Sequence, residues 1–121
     1  MEKKFTGALI VAAGKGVRSK STIPKQYIHF GSKTVLQKNI ENFIYEPLID
    51  FVIVAINKEH EELYEKAIAK IHSSKLLPKC LGGDTRSKSV QNGLKAIANI
   101  GCSKILIQDG TVFSVCSPFH L

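Results

Sequence analysis

A chain of 121 residues, 44% hydrophobic and 22% charged, can bury one modest core and has ordinary globular composition. Its longest apolar stretches, Ala8 to Ala13 and Phe51 to Ile56, are strand-sized; a bilayer span needs about 20 such residues, so none is expected. The net charge of +7 is unevenly spread: before Glu41 the only acid is Glu2, whereas Glu59, Glu61, Glu62 and Glu65 crowd one segment, which favours an anionic ligand at the N-terminal end.

In chain order, Phe5 to Ala13 is a continuous apolar run that suits a strand buried on both faces and feeding a loop. The loop reads A-A-G-K-G-V-R-S-K-S-T-I-P-K-Q-Y from Ala12 to Tyr27 and carries Lys15, Arg18, Lys20 and Lys25 with no acid among them. Its two glycines let the backbone approach a ligand, and the cations form a cradle for several negative charges, most simply a triphosphate. Thr34 and Gln37 form a capping box for a helix whose apolar residues repeat from Val35 to Ile44 and which ends before Pro47. Phe51 to Ile56 is a second buried strand, and Asn57 can cap the next helix, with Leu63, Ala67, Ile68 and Ile71 as its buried stripe. Leu76 to Leu81 predicts a short third strand, interrupted by Pro78 and near an edge. After G-G-D-T-R-S, the spacing of Val90, Leu94, Ile97 and Ala98 predicts a helix that Gly101 terminates, and Ile105 to Ile107 begins a fourth buried strand.

This alternation implies right-handed crossovers and a mainly parallel sheet with helices on both faces, an α/β fold whose ligands sit at the C-terminal ends of the strands. The basic loop, Gly82 to Arg86 and Asp109 all fall on that edge. Gly14-Lys15-Gly16 lacks the third glycine of a dinucleotide fingerprint, and Lys15 is neither preceded by G-x-x-x-x-G nor followed by Ser or Thr, so it is not a Walker loop either. Nucleic acid is disfavoured as a partner, because the loop has no interleaved aromatics and no helix carries a dense basic face. Cys80, Cys102 and Cys116 are odd in number and lack a C-x-x-C pair, which argues against a disulfide framework or zinc site; His29, His60, His72 and His120 show no i, i+4 pairing on one helix. The N-terminus, with Glu2, Lys3 and Lys4, lacks the long apolar region of a secretion signal, so a cytoplasmic location is expected.

Three linked motifs, A-A-G-x-G-x-R, then P-K-Q-Y, then G-G-x-x-R-x-x-S-V-x-x-G-L, resemble the nucleotidyltransferases that make CDP-alcohols. The pattern is most similar to the 2-C-methyl-D-erythritol 4-phosphate cytidylyltransferase family of non-mevalonate isoprenoid synthesis, and ribitol-5-phosphate cytidylyltransferases share most of it. The resemblance implies a Rossmann-like three-layer sandwich of the nucleotide-diphospho-sugar transferase type. It also implies transfer of CMP from CTP to a sugar-alcohol phosphate, with Mg²⁺ as cofactor and a homodimer as the assembly. Arg18 and Lys25 match the family's catalytic pair; Ala12, Ala13, Gly14, Lys15 and Gly16 match its CTP-binding loop, and Gly83, Asp84 and Ser89 the segment that reads base and ribose. Asp109 matches the aspartate that holds the metal. Several residues also have local readings: Asp84, Thr85 or Ser87 could cap the following helix, Arg86 could brace the loop against a carboxylate or contact phosphate directly, and Pro24 could serve as a turn former or fix the approach of Lys25.

The resemblance covers residues 5 to about 109. Where the family has H-D-A-A-R-P, this chain has Gln108-Asp109-Gly110-Thr111-Val112-Phe113, and nothing from Gly110 onward matches the family's pattern. Residues 1–109 are accordingly expected to be the nucleotide-binding part of a cytidylyltransferase domain and 110–121 an atypical tail, with a frameshift or premature stop as the simplest origin. The half that would complete the sheet, supply a dimerising arm and grip the sugar phosphate is expected to be missing, leaving the fourth strand as an exposed edge. A CTP-binding fragment without turnover is the second reading.

Overall fold

The computed structural model of the chain describes residues 5–13, 25–98, 100, 102–109 and 112–116. Phe5–Ala12 forms strand β1, buried along its last six residues, and it pairs in parallel with strand β4 (Phe51–Ile56) on one side and strand β6 (Cys102–Asp109) on the other. That central position is why both strands of the first pair are apolar without alternation. Ala8, Ile10 and Ala12 face one helical layer while Leu9 and Val11 face the other.

Before the first helix comes a hairpin of strands β2 (His29–Phe30) and β3 (Lys33–Thr34), turned at Gly31, whose φ of 68° is open to glycine without strain. Helix α1 (Val35–Ile44) starts with the Thr34 half of the expected capping box: the Gln37 backbone N–H donates to Thr34 Oγ1 at 3.0 Å. The Gln37 side chain turns forward to Glu41 at 3.4 Å, and Glu41 also binds Lys33 at 2.8 Å, tying hairpin to helix. At the other end, Lys75 Nζ donates to the carbonyl of Ile44 at 3.0 Å, a group the helix leaves open, and to that of Glu46 just beyond it at 3.3 Å.

Asn57 caps a single 3-10 turn, Lys58–His60, by accepting from the Glu59 N–H at 2.9 Å; helix α2 (Glu61–Ile68) then follows without a side-chain cap, and Ile71 lies beyond its end. The third strand is reduced to β5 (Cys80–Leu81), with Leu76 making only an isolated bridge to Val52, as a segment broken by Pro78 would. Helix α3 (Arg86–Ala98) leads into β6, which is longer than its apolar centre suggests. Gly101, the expected terminator of α3, lies outside the described residues.

The sheet order is β5-β4-β1-β6-β7, with β7 (Val112–Cys116) antiparallel to β6. The first four strands are parallel, α1 and α2 pack on one face, and α3 packs on the other, which gives the expected three layers. β7 corrects the expectation that the strand carrying Asp109 is left as an edge: β7 pairs along β6 from Ile105 to Asp109. Among the described residues no helix is long and apolar enough to cross a membrane.

Candidate functional site

At the C-terminal edge of the sheet, the ends of β1, β4 and β5 surround a cavity of about 390 Å³. This is within the size range of small-ligand sites. Val11 and Ala13 form its floor, Asn57, Lys58 and Glu59 one wall, and Gly82 to Arg86 with Ser89 the other. The backbone of Asp109 ends β6 beside Val11, its register partner, so the same edge carries an acidic position.

The wall from Gly82 to Ser89 is built by local bonds. The Gly82 N–H donates to Ile56 O at 2.8 Å, continuing the β4–β5 pairing, and Asn92 Nδ2 holds Leu81 O at 3.1 Å. Gly82 lies so close to the end of β1 that a Cβ there would overlap the Ala13 methyl and stand 2.7 Å from Ser89 Oγ. Ser89 is buried, and its hydroxyl accepts from the Gly83 N–H at 3.0 Å. Thr85, rather than Asp84, caps α3: its Oγ1 accepts from the Lys88 N–H at 3.1 Å and its carbonyl from the Ser89 N–H at 3.0 Å. The exposed Asp84 is therefore a cavity-wall carboxylate not used as the helix cap. Arg86 opens α3 and lines the same wall.

Of the residues singled out in the sequence, Ala13, Gly83, Asp84 and Ser89 meet at this cavity, and Ala12 lies fully buried just beneath it in β1. Gly14, Lys15, Gly16 and Arg18, with Lys20 and Pro24, lie outside the described residues. Lys25 opens a 3-10 turn, Lys25–Tyr27. Tyr27 anchors that turn: it is buried, its ring meets His60 edge-on at 5.8 Å, and desolvation pushes its hydroxyl up to about 12. Sequence reasoning missed Lys58 and Glu59 as cavity residues; the available signal was their place directly after a buried strand, on the edge already assigned to ligands. The sequence places Gly82 on the ligand edge, but its need for close approach becomes visible only once β1 and β5 are neighbours of β4.

Among the described residues no group of three or more His, Cys, Asp or Glu gathers to hold a metal. Ser89→Ala is expected to free the Gly82–Gly83 turn by removing the acceptor of the Gly83 N–H. The expected result is a loss of about 1 kcal/mol in stability, which a thermal melt checks.

A mainly parallel sheet in this order, with a glycine-walled cavity at its C-terminal edge, defines an open α/β domain of the kind that binds ligands at its strand ends. The sequence model of 2-C-methyl-D-erythritol 4-phosphate cytidylyltransferase matches residues 6–116, and the chain belongs to that family. The match runs past Asp109 and takes in β7. The chain is 46% identical over 118 residues to the bifunctional enzyme IspD/IspF of Wolbachia pipientis wMel, covering 97% of this chain and 28% of that protein. It is 40% identical over 108 residues to the 2-C-methyl-D-erythritol 4-phosphate cytidylyltransferase of Clostridium kluyveri, covering 88% of this chain and 46% of that one. The crystal structure of 4-diphosphocytidyl-2C-methyl-D-erythritol synthase from Anaerococcus prevotii superposes with a TM-score of 0.70 at 30% identity, over 88% of this chain and 43% of that one. The chain thus spans less than half the length of these relatives.

Proposed function

We propose that the chain, with residues 1–109 as its CTP-binding part, transfers CMP from CTP to 2-C-methyl-D-erythritol 4-phosphate, giving the CDP-alcohol and pyrophosphate. The observation that carries this reading is the cavity between Ala13 and the Gly82–Ser89 wall, on the edge where β6 brings Asp109. In the proposed reaction a phosphate oxygen of the alcohol phosphate attacks the α-phosphorus of CTP, and the bond to the bridging oxygen breaks with its electron pair leaving on pyrophosphate. Negative charge concentrates around that phosphorus, so preorganised cations lower the barrier. Arg18 offers a fork of donors and Lys25 a compact charge, the two forms of cation such a triphosphate needs. Asp109 is the residue that would hold Mg²⁺, which supplies further charge neutralisation at the triphosphate. Asp84 and Ser89 are assigned to base and ribose, and a homodimer and a cytoplasmic location belong to the same proposal.

A chain that binds CTP without turnover is the second reading, favoured by the replacement of H-D-A-A-R-P with Gln108-Asp109-Gly110-Thr111-Val112-Phe113. Calorimetric titration of the purified chain with CTP, UTP, ATP and GTP in Mg²⁺ tests the site common to both. CTP is expected to bind at least about tenfold more tightly than either purine nucleotide, a difference of about 1.4 kcal/mol. Equal binding of all four, or binding of none, would remove the assignment.

A further inference from the structure

Two 3-10 turns meet through their last residues. One is Lys25–Tyr27, which Lys25 opens; the other is Lys58–His60, whose first two residues line the strand-end cavity. The rings of Tyr27 and His60 meet edge-on, with centroids 5.8 Å apart and planes at 72°. Each turn is also fixed from its own side. The His60 N–H donates to Asn57 O at 2.8 Å, and just past Tyr27 the Val35 N–H donates to Ile28 O at 3.0 Å, tying that turn to the start of α1. Tyr27 belongs to the core under α1 and α2, with Leu36, Tyr64 and Ala67. The ring pair is therefore a joint between the turn that carries Lys25 and the turn that walls the cavity.

This joint holds two unsatisfied polar atoms. Tyr27 Oη and His60 Nδ1 are both buried, and neither has a hydrogen-bond partner among the described residues. Left apart, each is destabilising, whereas one proton shared between them removes both penalties. Their chemistry is complementary: the phenol hydroxyl donates, and Nδ1 accepts in the tautomer whose proton sits on Nε2. Burial pushes the Tyr27 hydroxyl up to about 12, so it keeps its proton at neutral pH. We propose that the Tyr27 hydroxyl donates to His60 Nδ1, directly or through one enclosed water, and that His60 is by this bond a positioning residue for Lys25, holding its turn at the cavity wall. His60 is not among the residues that line the cavity, so its effect on the nucleotide passes through the turn. The inference rests on the CTP reading and on the triphosphate role given to Lys25, and adds to them a residue that touches no nucleotide.

The test is calorimetric titration of the chain with CTP and with CMP in Mg²⁺. The two share base, ribose and α-phosphate, so the ratio of their affinities reads the grip on the outer phosphates alone. Tyr27→Phe, which keeps the ring, and His60→Leu, which removes the acceptor, should each lower the CTP-over-CMP preference about tenfold while CMP affinity holds. His60→Asn, whose amide oxygen replaces Nδ1 as acceptor, should keep the preference. In a Lys25→Ala background His60→Leu should lower it no further, since both act on one contact. A preference unchanged in Tyr27→Phe, a His60→Asn that behaves as His60→Leu does, or equal losses of CTP and CMP would overturn the proposal, the last by showing a role in folding alone. Failure of the unsubstituted chain to bind CTP, or to prefer it to CMP, would instead remove the reading beneath the proposal, and the proposal with it.

Discussion

Lys25→Ala is expected to abolish CMP transfer, with pyrophosphate release falling by about a thousandfold or more, the scale set by removing one preorganised charge partner from a reacting centre. Arg18→Ala should act similarly, and Arg18→Lys should not restore the rate, because a point charge does not replace a forked donor. Thermal stability should change little in Lys25→Ala, since Tyr27, packed against His60 in the core, anchors the turn that Lys25 opens. Pyrophosphate release and a melt, measured on the same preparations, separate the two effects. Parallel loss of stability and rate would show that the substitution acts through folding, contrary to its assigned role.

Gly82→Val is expected to have the other large effect, on binding rather than on chemistry. Its new Cβ would meet the Ala13 methyl and Ser89 Oγ, and both belong to packed elements that cannot easily retreat. Forcing them apart costs about 1–3 kcal/mol and moves the acceptor that holds Gly83, so CTP affinity should drop by tenfold or more. Gly31→Ala is the control. It strains a residue with φ of 68° by about 1 kcal/mol, yet its Cβ meets nothing within 4 Å and it lies outside the cavity, so CTP affinity should hold. Unchanged CTP affinity in Gly82→Val would show that the β5–α3 wall does not contact the nucleotide.

The parallel core was legible because its signals are local and strong. Phe5 to Ala13 and Phe51 to Ile56 are apolar without alternation, which only a strand covered on both faces requires, and both lie at the centre of the sheet. Thr34 with Gln37 marked the start of α1 by a bond that forms within one turn. The choice of cap for α3 was not legible, since Asp84, Thr85 and Ser87 all have suitable oxygens and only the folded turn selects Thr85. β7 escaped notice because Val112 to Cys116 was weighed against a family motif it lacks rather than by its own run of β-branched and aromatic residues. Tertiary proximity decided the rest: Lys58 and Glu59 read as the start of a charged helix, and they join the site because β4 ends beside β5.

The most direct single measurement is pyrophosphate release by the purified chain with CTP and Mg²⁺, in the presence of either 2-C-methyl-D-erythritol 4-phosphate or ribitol 5-phosphate. The account predicts release that depends on 2-C-methyl-D-erythritol 4-phosphate and disappears in Arg18→Ala. Release with ribitol 5-phosphate instead would contradict the substrate assignment, and no release from folded, CTP-binding protein would contradict the assignment of catalysis to this chain.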